Sequence, residues 1–363
     1  MKPPPEPATG LDLIKPAVRD QPPYSLKTHS AQRKLNQNES PYDVPAALKR
    51  EIADRLAAVP WHRYPEFTPV ALLDTLAARY AWTPDGILVG NGSNELIQAT
   101  LAVTLESGDR VVAPSPTFSL YRLLTSVFGG RYVPVALGPD FRYQIDSLIE
   151  VAARERARVV VLNSPNNPTG SALPPDAVER VLAATDALVV CDEAYQEFGG
   201  PSAVGLLAAS SRVVVLRTFS KALGLAGLRL GFALAHPAVA REIAKAKLPY
   251  NVNALSLTAA SILLAHPETE ARVAEIIATR DRTFARLRRI PALTVYSSAA
   301  NFILVRCLTL PAREVFRRLL EEHGILVRDV SAAPELADCL RISVGTPEDM
   351  EAVVGALEDM LEA

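Results

Sequence analysis

Short apolar runs alternate with longer amphipathic stretches along the first two-thirds of the chain. Three of the runs, residues 159–162, 187–190 and 213–216, contain only Val, Leu and Ala and are typical of strands buried on both faces. The stretches at 69–80 and 93–105 repeat their apolar residues at helical spacing. This alternation predicts an α/β fold, with a large domain built on an open, mostly parallel sheet flanked by helices.

The last quarter of the chain has a different pattern. One long helical region is predicted over 256–290, and it ends in an arginine-rich run that is typical of a solvated helix face. An amphipathic helix is predicted at 311–323, between short strands, which indicates a small α+β domain. Those strands are expected at 294–296, 301–306, 325–328 and 340–344. We expect an N-terminal arm, a large domain and a small C-terminal domain at residues 1–34, 35–265 and 266–363.

Polar residues follow directly after each of the three buried runs. NSPNNPTG follows the first run, CDEAY the second and TFSK the third. Ligands of open parallel sheets bind outside the carboxyl ends of the strands, so side chains that follow these runs are expected to meet there. The residues concerned are Asn167, Asp192, Tyr195, Ser220 and Lys221.

Lys221 is the strongest candidate for a catalytic residue. A lysine at the mouth of a buried strand is costly unless its charge is paired or used. An amine with a lowered pKa forms a Schiff base with an aldehyde, and Ser220 and Arg229 supply donors that suit a phosphate. Upstream, the turn GNGSNE opens a helix at Ser93 and Asn94, where free backbone N–H groups favour an anion. Together these features suggest pyridoxal phosphate, and an ordinary surface lysine is the alternative interpretation.

The other residues after the runs match the needs of that cofactor. Pyridoxal phosphate withdraws electrons best with a protonated ring nitrogen, which an ionised Asp192 would favour. A helix N-cap is the alternative role for Asp192. Asn167 and Tyr195 suit the ring oxygen O3′ as hydrogen-bond donors, and Phe118 suits the ring face as an aromatic cover.

Composition narrows the class of protein. A length of 363 residues favours two domains, and a net charge of −2 gives no electrostatic reason to expect nucleic acid or a membrane surface. The N-terminus lacks the apolar core of a signal peptide, and no window reaches the ~18 apolar residues of a membrane span. Cys191, Cys307 and Cys339 form no metal or disulfide pattern, so a reducing cytoplasm is expected.

Several stretches between residues 34 and 346 carry a family resemblance: LNQNESPY, RYPE, GNGSNEL, NSPNNPTG, CDEAYQEF, TFSKALGLAGLRLGF and LRISVGT. The chain resembles the fold-type-I pyridoxal-phosphate-dependent aminotransferases, and within them the histidinol-phosphate aminotransferase family. Two positions depart from the family pattern. Ser164 stands at the first proline of the usual N-P-N-N-P-T-G, and Asn94 stands where an acidic residue is frequent.

The resemblance implies a role for each cofactor residue. Lys221 would form the internal aldimine and move the proton, Asp192 would pair with the pyridine nitrogen, and Phe118 would stack on the ring. Asn167 and Tyr195 would bind O3′. The phosphate would be held by Ser93, Asn94, Ser220 and Arg229, together with Tyr64 of a partner subunit, which implies a homodimer.

The resemblance also implies a substrate. Arg341 would grip a carboxylate or phosphate, Arg328 and Tyr24 would bind the phosphate of histidinol phosphate, and Asn38 would line the pocket. The implied reaction is a ping-pong transfer from glutamate, which becomes 2-oxoglutarate, in histidine biosynthesis. A threonine-phosphate decarboxylase and an aromatic amino-acid aminotransferase remain open. A transcriptional regulator is disfavoured, because residues 1–34 are too few and too rich in proline for a DNA-binding module.

Overall fold

The computed structural model describes residues 9–22, 28–266 and 268–361. The strands in this part of the chain are β1 (Arg33–Lys34), β2 (Ile87–Gly90), β3 (Arg110–Ser115), β4 (Arg131–Ala136), β5 (Val159–Asn163), β6 (Leu188–Asp192), β7 (Val213–Thr218), β8 (Gly231–Ala235), β9 (Leu293–Val295), β10 (Phe302–Cys307), β11 (Ile325–Leu326), β12 (Arg328–Asp329) and β13 (Cys339–Ser343). The helices there are α1 (Pro16–Arg19), α2 (Ala46–Ala57), α3 (Val70–Tyr80), α4 (Ser93–Thr104), α5 (Leu120–Val127), α6 (Ile145–Arg154), α7 (Ala177–Ala184), α8 (Pro237–Ala244), α9 (Ala254–Leu263), α10 (Glu268–Leu287), α11 (Ala312–Glu321) and α12 (Pro347–Leu361). None of these helices is long and apolar enough to cross a membrane.

The large sheet has seven strands in the order β2-β8-β7-β6-β5-β3-β4. The five strands from β4 to β7 in this order are parallel, whereas β8 runs antiparallel to both of its neighbours. The predicted mostly parallel sheet flanked by helices is thereby confirmed. Its parallel strands end at one common edge, which is where the polar residues of the sequence follow.

Strand β7 shows why these runs form central strands. All six of its residues are buried. Val213 and Val215 pack into the apolar core on one face, and Val214 and Leu216 pack into the core on the other. A strand that alternates its side chains between two cores must be apolar throughout, which explains the unbroken Val and Leu runs.

The small sheet is antiparallel, in the order β12-β13-β10-β9. Its core includes Phe302 of β10, Leu340 of β13, Val315 of α11 and Val353 of α12. The domain bounds themselves stay a prediction.

The C-terminal third differs from the sequence-based expectation in two elements. The single helix predicted over 256–290 is wrong: α9 ends at Leu263 and α10 begins at Glu268. The sequence carries His266-Pro267 between them, and a proline removes a helical donor and disfavours helix at the residue before it. The strand predicted at 325–328 is also divided, since β11 pairs with β1 and β12 pairs with β13.

Residues 35–40, which we call the strap, follow β1 and cross from the small sheet towards the end of β7. The strap is anchored through Leu35, whose N–H donates to Leu326 O at 2.7 Å and whose carbonyl accepts from Ser343 N at 3.0 Å. Asn36 and Asn38 are buried. The strap thereby places polar backbone beside the common edge of the large sheet.

Candidate active site

Lys221 lies three residues beyond β7 and is partly buried. Its Nζ donates to Gln37 O of the strap at 2.8 Å and lies 5.8 Å from the centre of the Tyr195 ring. Burial is the main cause that lowers the pKa of Lys221 to about 7, and the neighbouring Arg341 charge adds to it, whereas Glu39 acts in the opposite direction. An amine with this pKa is largely neutral just above pH 7 and can act as a nucleophile or take up a proton.

Asp192 is the last residue of β6 and is buried. Its Oδ2 accepts from the Tyr121 hydroxyl at 2.6 Å, and its Oδ1 accepts from Ala194 N at 3.1 Å. Burial raises the pKa of Asp192, and these two hydrogen bonds oppose the rise. The turn after it begins at Gln196 with Tyr195 as its cap, so Asp192 does not serve as its N-cap. A buried carboxylate of this kind suits a cationic ring nitrogen.

Asn167 and Arg341 are joined across the two sheets. Arg341 Nη1 donates to Asn167 Oδ1 at 2.6 Å, and its Nη2 donates to Asn36 O of the strap at 2.7 Å. The Asn167 backbone N–H donates to Asn163 Oδ1 at 2.9 Å. The guanidinium also lies 5.5 Å from the centre of the Phe302 ring. Arg341 is therefore oriented by several partners before any anion arrives.

Arg328 lies directly beside Arg341. The two residues are Cα partners in the β12–β13 pair, so their side chains share one face of the small sheet. Arg328 is half-buried, and among the described residues its guanidinium has no hydrogen bond or ion pair. Two adjacent guanidinium groups on one face favour a ligand with more than one negative charge.

Four consecutive strap carbonyls each accept a hydrogen bond, and the donors come from three parts of the chain: β13, the segment after β7 and the segment before β10. The pairs are Leu35 O with Ser343 N (3.0 Å), Asn36 O with Arg341 Nη2 (2.7 Å), Gln37 O with Lys221 Nζ (2.8 Å) and Asn38 O with Asn301 Nδ2 (3.1 Å). The strap backbone thus holds the Lys221 amine and the Arg341 guanidinium at neighbouring positions.

A second cradle forms where α4 begins. Gly92 has φ +82°, and a Cβ atom there would lie only 2.7 Å from Arg229 Nη2. Arg229 Nη1 donates to Ser220 Oγ at 3.2 Å. Ser93, the first residue of α4, is buried, whereas Asn94 is exposed. A glycine turn, a helix N-terminus and an arginine meet here, as an anion site requires.

Other predicted residues lie on the same edge. Phe118 packs edge to face against Tyr121, with 5.7 Å between the ring centres, beside the Asp192 carboxylate. Asn38 is buried in the strap and its Nδ2 donates to the Tyr195 hydroxyl at 3.0 Å. The structure therefore brings Phe118, Asn38 and Tyr195 to the site.

Tyr64 and Tyr24 are predicted site residues that the described part of the structure does not bring to this edge. Tyr64 is 79% exposed and stacks on Tyr250, with 4.4 Å between the ring centres, on the outside of its own chain. Tyr24 lies outside the described residues.

Sequence reasoning did not assign Tyr121, Asn163, Ser343 or the strap carbonyls to the site. Tyr121 carried a usable signal, because it lies three residues after Phe118, in the first turn of the helix that follows β3. Ser343 lies two residues after Arg341 on β13, which also places it on the same face. The strap carbonyls carried no signal, since every residue has one.

Comparison with known proteins places these features in context. The family model for aminotransferase class I and II matches residues 31–357. A histidinol-phosphate aminotransferase of Chlorobaculum tepidum is 37% identical over 96% of this chain and 100% of that protein. One of Chlorobaculum parvum is 38% identical over 95% and 98%. The crystal structure of histidinol-phosphate aminotransferase from Sinorhizobium meliloti, in complex with pyridoxal-5'-phosphate, superposes with a TM-score of 0.85 at 26% identity, covering 96% of this chain and 97% of that one.

Proposed function

The chain belongs to the aminotransferase class I and II family, and from that premise we propose that it transfers the amino group of glutamate to imidazole-acetol phosphate, giving histidinol phosphate. Its relatives with 37% and 38% identity over nearly their whole length are histidinol-phosphate aminotransferases, which supports this substrate and a role in histidine biosynthesis.

The enzyme uses pyridoxal phosphate, and the residues of the candidate site fit that group. The cradle of Gly92, Ser93, Ser220 and Arg229 suits the phosphate, because a side chain at position 92 would collide with Arg229. The buried Asp192 suits the ring nitrogen. When bound, the cofactor supplies an aldehyde for an amine and an electron sink for the substrate carbon.

The remaining chemical roles belong to side chains of the protein. Lys221 Nζ, with a pKa of about 7, would accept a proton from the substrate carbon Cα and pass it to C4′ of the cofactor, because near neutral pH the amine can both take up and release a proton. Asp192 would hold negative charge beside the ring nitrogen, and Asn167 and Tyr195 would donate to the ring oxygen. Phe118 would cover the ring and exclude water from it.

One observation carries the choice of substrate: Arg328 and Arg341 lie side by side on β12 and β13. A single carboxylate needs one bidentate arginine. The second arginine suits either the phosphate of histidinol phosphate or the second carboxylate of glutamate, and a ping-pong enzyme binds these two in turn at one site. Asn38, whose Nδ2 donates to the Tyr195 hydroxyl, would line the substrate site, and Tyr24, which lies outside the described residues, keeps the phosphate-binding role that the family resemblance implies.

The proposal includes a cytoplasmic homodimer with shared sites. Trp61, Tyr64 and Phe67 are exposed by 70% or more and lie in one loop, and Tyr250 packs against the second and third of them. An exposed aromatic cluster of this kind is typical of a subunit interface. Across that interface Tyr64 would reach the partner's phosphate cradle. Three buried free cysteines agree with a reducing compartment.

The experiment is a single-turnover assay of the cofactor-loaded enzyme with histidinol phosphate, histidinol and phenylalanine. We expect Arg328→Ala to lower kcat/KM for histidinol phosphate on the order of a hundred- to several-thousandfold, because breaking a desolvated charge pair costs roughly 3–5 kcal/mol. Phenylalanine should be affected far less. Arg341→Ala should lower kcat/KM for every amino donor.

The matched control is Arg317→Ala, which removes an exposed arginine of the same domain that pairs only with glutamates of α11 and its end. Equal rates for histidinol and its phosphate in the unaltered enzyme would favour the aromatic amino-acid aminotransferase. Release of CO₂ from threonine phosphate would favour the threonine-phosphate decarboxylase.

A further inference from the structure

Ser343, at the end of β13, is buried, and within the described residues its side-chain Oγ makes two hydrogen bonds, both to Asn38. The Asn38 backbone N–H donates to Ser343 Oγ at 2.8 Å, and Ser343 Oγ donates to Asn38 Oδ1 at 3.0 Å. The amide Nδ2 of the same asparagine donates to the Tyr195 hydroxyl at 3.0 Å. Ser343 and Tyr195 are thus connected through one side chain.

The backbone N–H of Asn38 fixes the direction of every hydrogen bond between Ser343 and Tyr195. A backbone N–H can only donate, so Ser343 Oγ is an acceptor towards Asn38 N, and its own proton is available for the Asn38 side chain. The Asn38 atom that receives this proton must be the oxygen. The opposite atom, which faces Tyr195, is therefore the NH₂ group, and the tyrosine oxygen accepts from it.

Asn38 has little freedom to change this arrangement. Its φ is +54°, in the left-handed region that asparagine tolerates better than most residues. Its carbonyl accepts from Asn301 Nδ2 at 3.1 Å, and Asn301 is fully buried. Backbone and side chain are both held, so the orientation of the amide depends on the Ser343 hydroxyl.

We propose that Ser343 is a positioning residue that acts through Asn38 to present the Tyr195 hydroxyl as a hydrogen-bond donor to the cofactor. The proposal rests on the proposed function, because it assumes that pyridoxal phosphate occupies the site beside Lys221. Because its oxygen accepts from Asn38, the Tyr195 hydroxyl does not donate to that side chain, and its proton would be directed to the ring oxygen of the bound cofactor. Without the Ser343 hydroxyl the amide is free to turn over, and its oxygen would then take the tyrosine proton.

The test is a pH titration of the absorption spectrum of the bound cofactor. A donor to the ring oxygen stabilises the deprotonated chromophore and lowers its titration midpoint, so loss of that donor raises the midpoint. We expect Ser343→Ala to raise it by about half a pH unit or more, and Ser343→Thr, which keeps the hydroxyl, to restore it. Thr283→Val is the matched control, because it removes a buried hydroxyl that bonds only within α10.

A double-mutant cycle separates this role from a general structural one. Tyr195→Phe removes the donor itself and should give the largest shift. In that background Ser343→Ala should add no further shift, because its effect passes through the missing hydroxyl. Equal shifts of the midpoint by Ser343→Ala in both backgrounds would overturn the proposal, and so would an unchanged midpoint with Tyr195 present.

The proposal can also be tested if Ser343→Ala does not fold, and it can be separated from a failure of cofactor binding. If Ser343→Ala does not fold, Ser343→Cys keeps most of the volume with a weak donor, and its midpoint should still rise. A midpoint equal to that of the unaltered enzyme would then contradict the proposal. If the unaltered protein binds no pyridoxal phosphate, the proposed function fails, whereas binding with an unmoved midpoint refutes only the role of Ser343.

Discussion

At the scale of single residues, the titration of Lys221 is directly testable. Only a neutral amine attacks an aldehyde, and the pKa of about 7 is caused by burial and by the Arg341 charge. We expect the rate at which free pyridoxal adds to the cofactor-free protein to rise with pH and to level off about one unit above that pKa. Pyridoxal is chosen because it lacks the phosphate, which titrates in the same range.

The cause of the shift can be tested in the same stopped-flow absorbance experiment. Arg341→Ala removes a neighbouring positive charge, so the pKa of Lys221 should rise and the rate profile should move to higher pH. Arg317→Ala, on the exposed face of α11, should leave the profile in place. A rate for the unaltered protein that keeps rising to the ordinary lysine pKa of 10.5 would refute the lowered value.

Tyr121 offers a second prediction at this scale, on stability. Tyr121→Phe leaves Asp192 Oδ2 buried without the donor that lies 2.6 Å away, and an unsatisfied buried group costs about 1–3 kcal/mol. Urea denaturation of the cofactor-free protein should show this loss. Tyr132→Phe is the control, because its hydroxyl lies 3.5 Å from Pro114 O and makes a weak bond. Equal losses in the two variants would contradict the prediction.

The residue scale also shows how far sequence reasoning reaches. Lys221 and Asp192 follow apolar runs, and that position alone indicated the edge at which the structure gathers them. Arg280 was expected on a solvated helix face but is buried, where its Nη1 donates to Phe198 O and Ala300 O. Those carbonyls come from distant parts of the chain, so no local pattern could reveal them.

At the scale of elements, the turn between β2 and α4 controls the phosphate cradle. Gly92→Ala places a Cβ at φ +82° and 2.7 Å from Arg229 Nη2. The Cβ would displace the Arg229 guanidinium, and a left-handed alanine costs about 1–2 kcal/mol, which the cofactor-free turn can release by relaxing. We therefore expect pyridoxal phosphate to bind about five- to thirtyfold more weakly in equilibrium dialysis.

The matched control for that turn is Gly227→Ala, in the turn Ala226–Leu228 directly before Arg229. A Cβ there would meet nothing within 4 Å. Its binding constant should equal that of the unaltered protein. If both alanines weaken binding equally, the cradle is not where the phosphate is held.

Element boundaries show a second limit of sequence reasoning. The three central strands could be located from their apolar composition, because a strand buried on both faces contains no polar positions and its ends are marked by the first polar residues. The strand β8 (Gly231–Ala235) was not predicted, although all its residues are buried. It begins at Gly231, where a Cβ would lie 2.4 Å from Ser93 N, a close approach that depends on a partner element far away in the sequence.

At the scale of the whole molecule, the shared-site proposal predicts complementation between two inactive variants. Lys221→Ala removes the amine, and Tyr64→Ala removes the residue proposed to cross to the partner. A mixed dimer of the two would contain one site with both residues intact. Random reassociation should therefore restore about one quarter of full activity. No recovery after confirmed subunit exchange would contradict a shared site.

The interface itself can be tested separately. Phe67→Arg places a charge in the exposed aromatic cluster and should shift the sedimentation coefficient towards that of a monomer. Leu308→Arg is the control, since Leu308 is also exposed but lies after β10 in the small sheet. A dimer that withstands Phe67→Arg would place the interface elsewhere.

The strap has a consequence for how this chain can change length. Its four accepting carbonyls are consecutive, so deleting one residue would displace the remaining acceptors by about 3.4 Å, more than a hydrogen bond can absorb. Lys221 and Arg341 would lose their strap acceptors together. Replacing the side chain of Gln37, whose backbone oxygen makes the contact to Lys221, would leave all four acceptors in place. Insertions and deletions, rather than substitutions, are therefore the changes that this segment cannot accommodate.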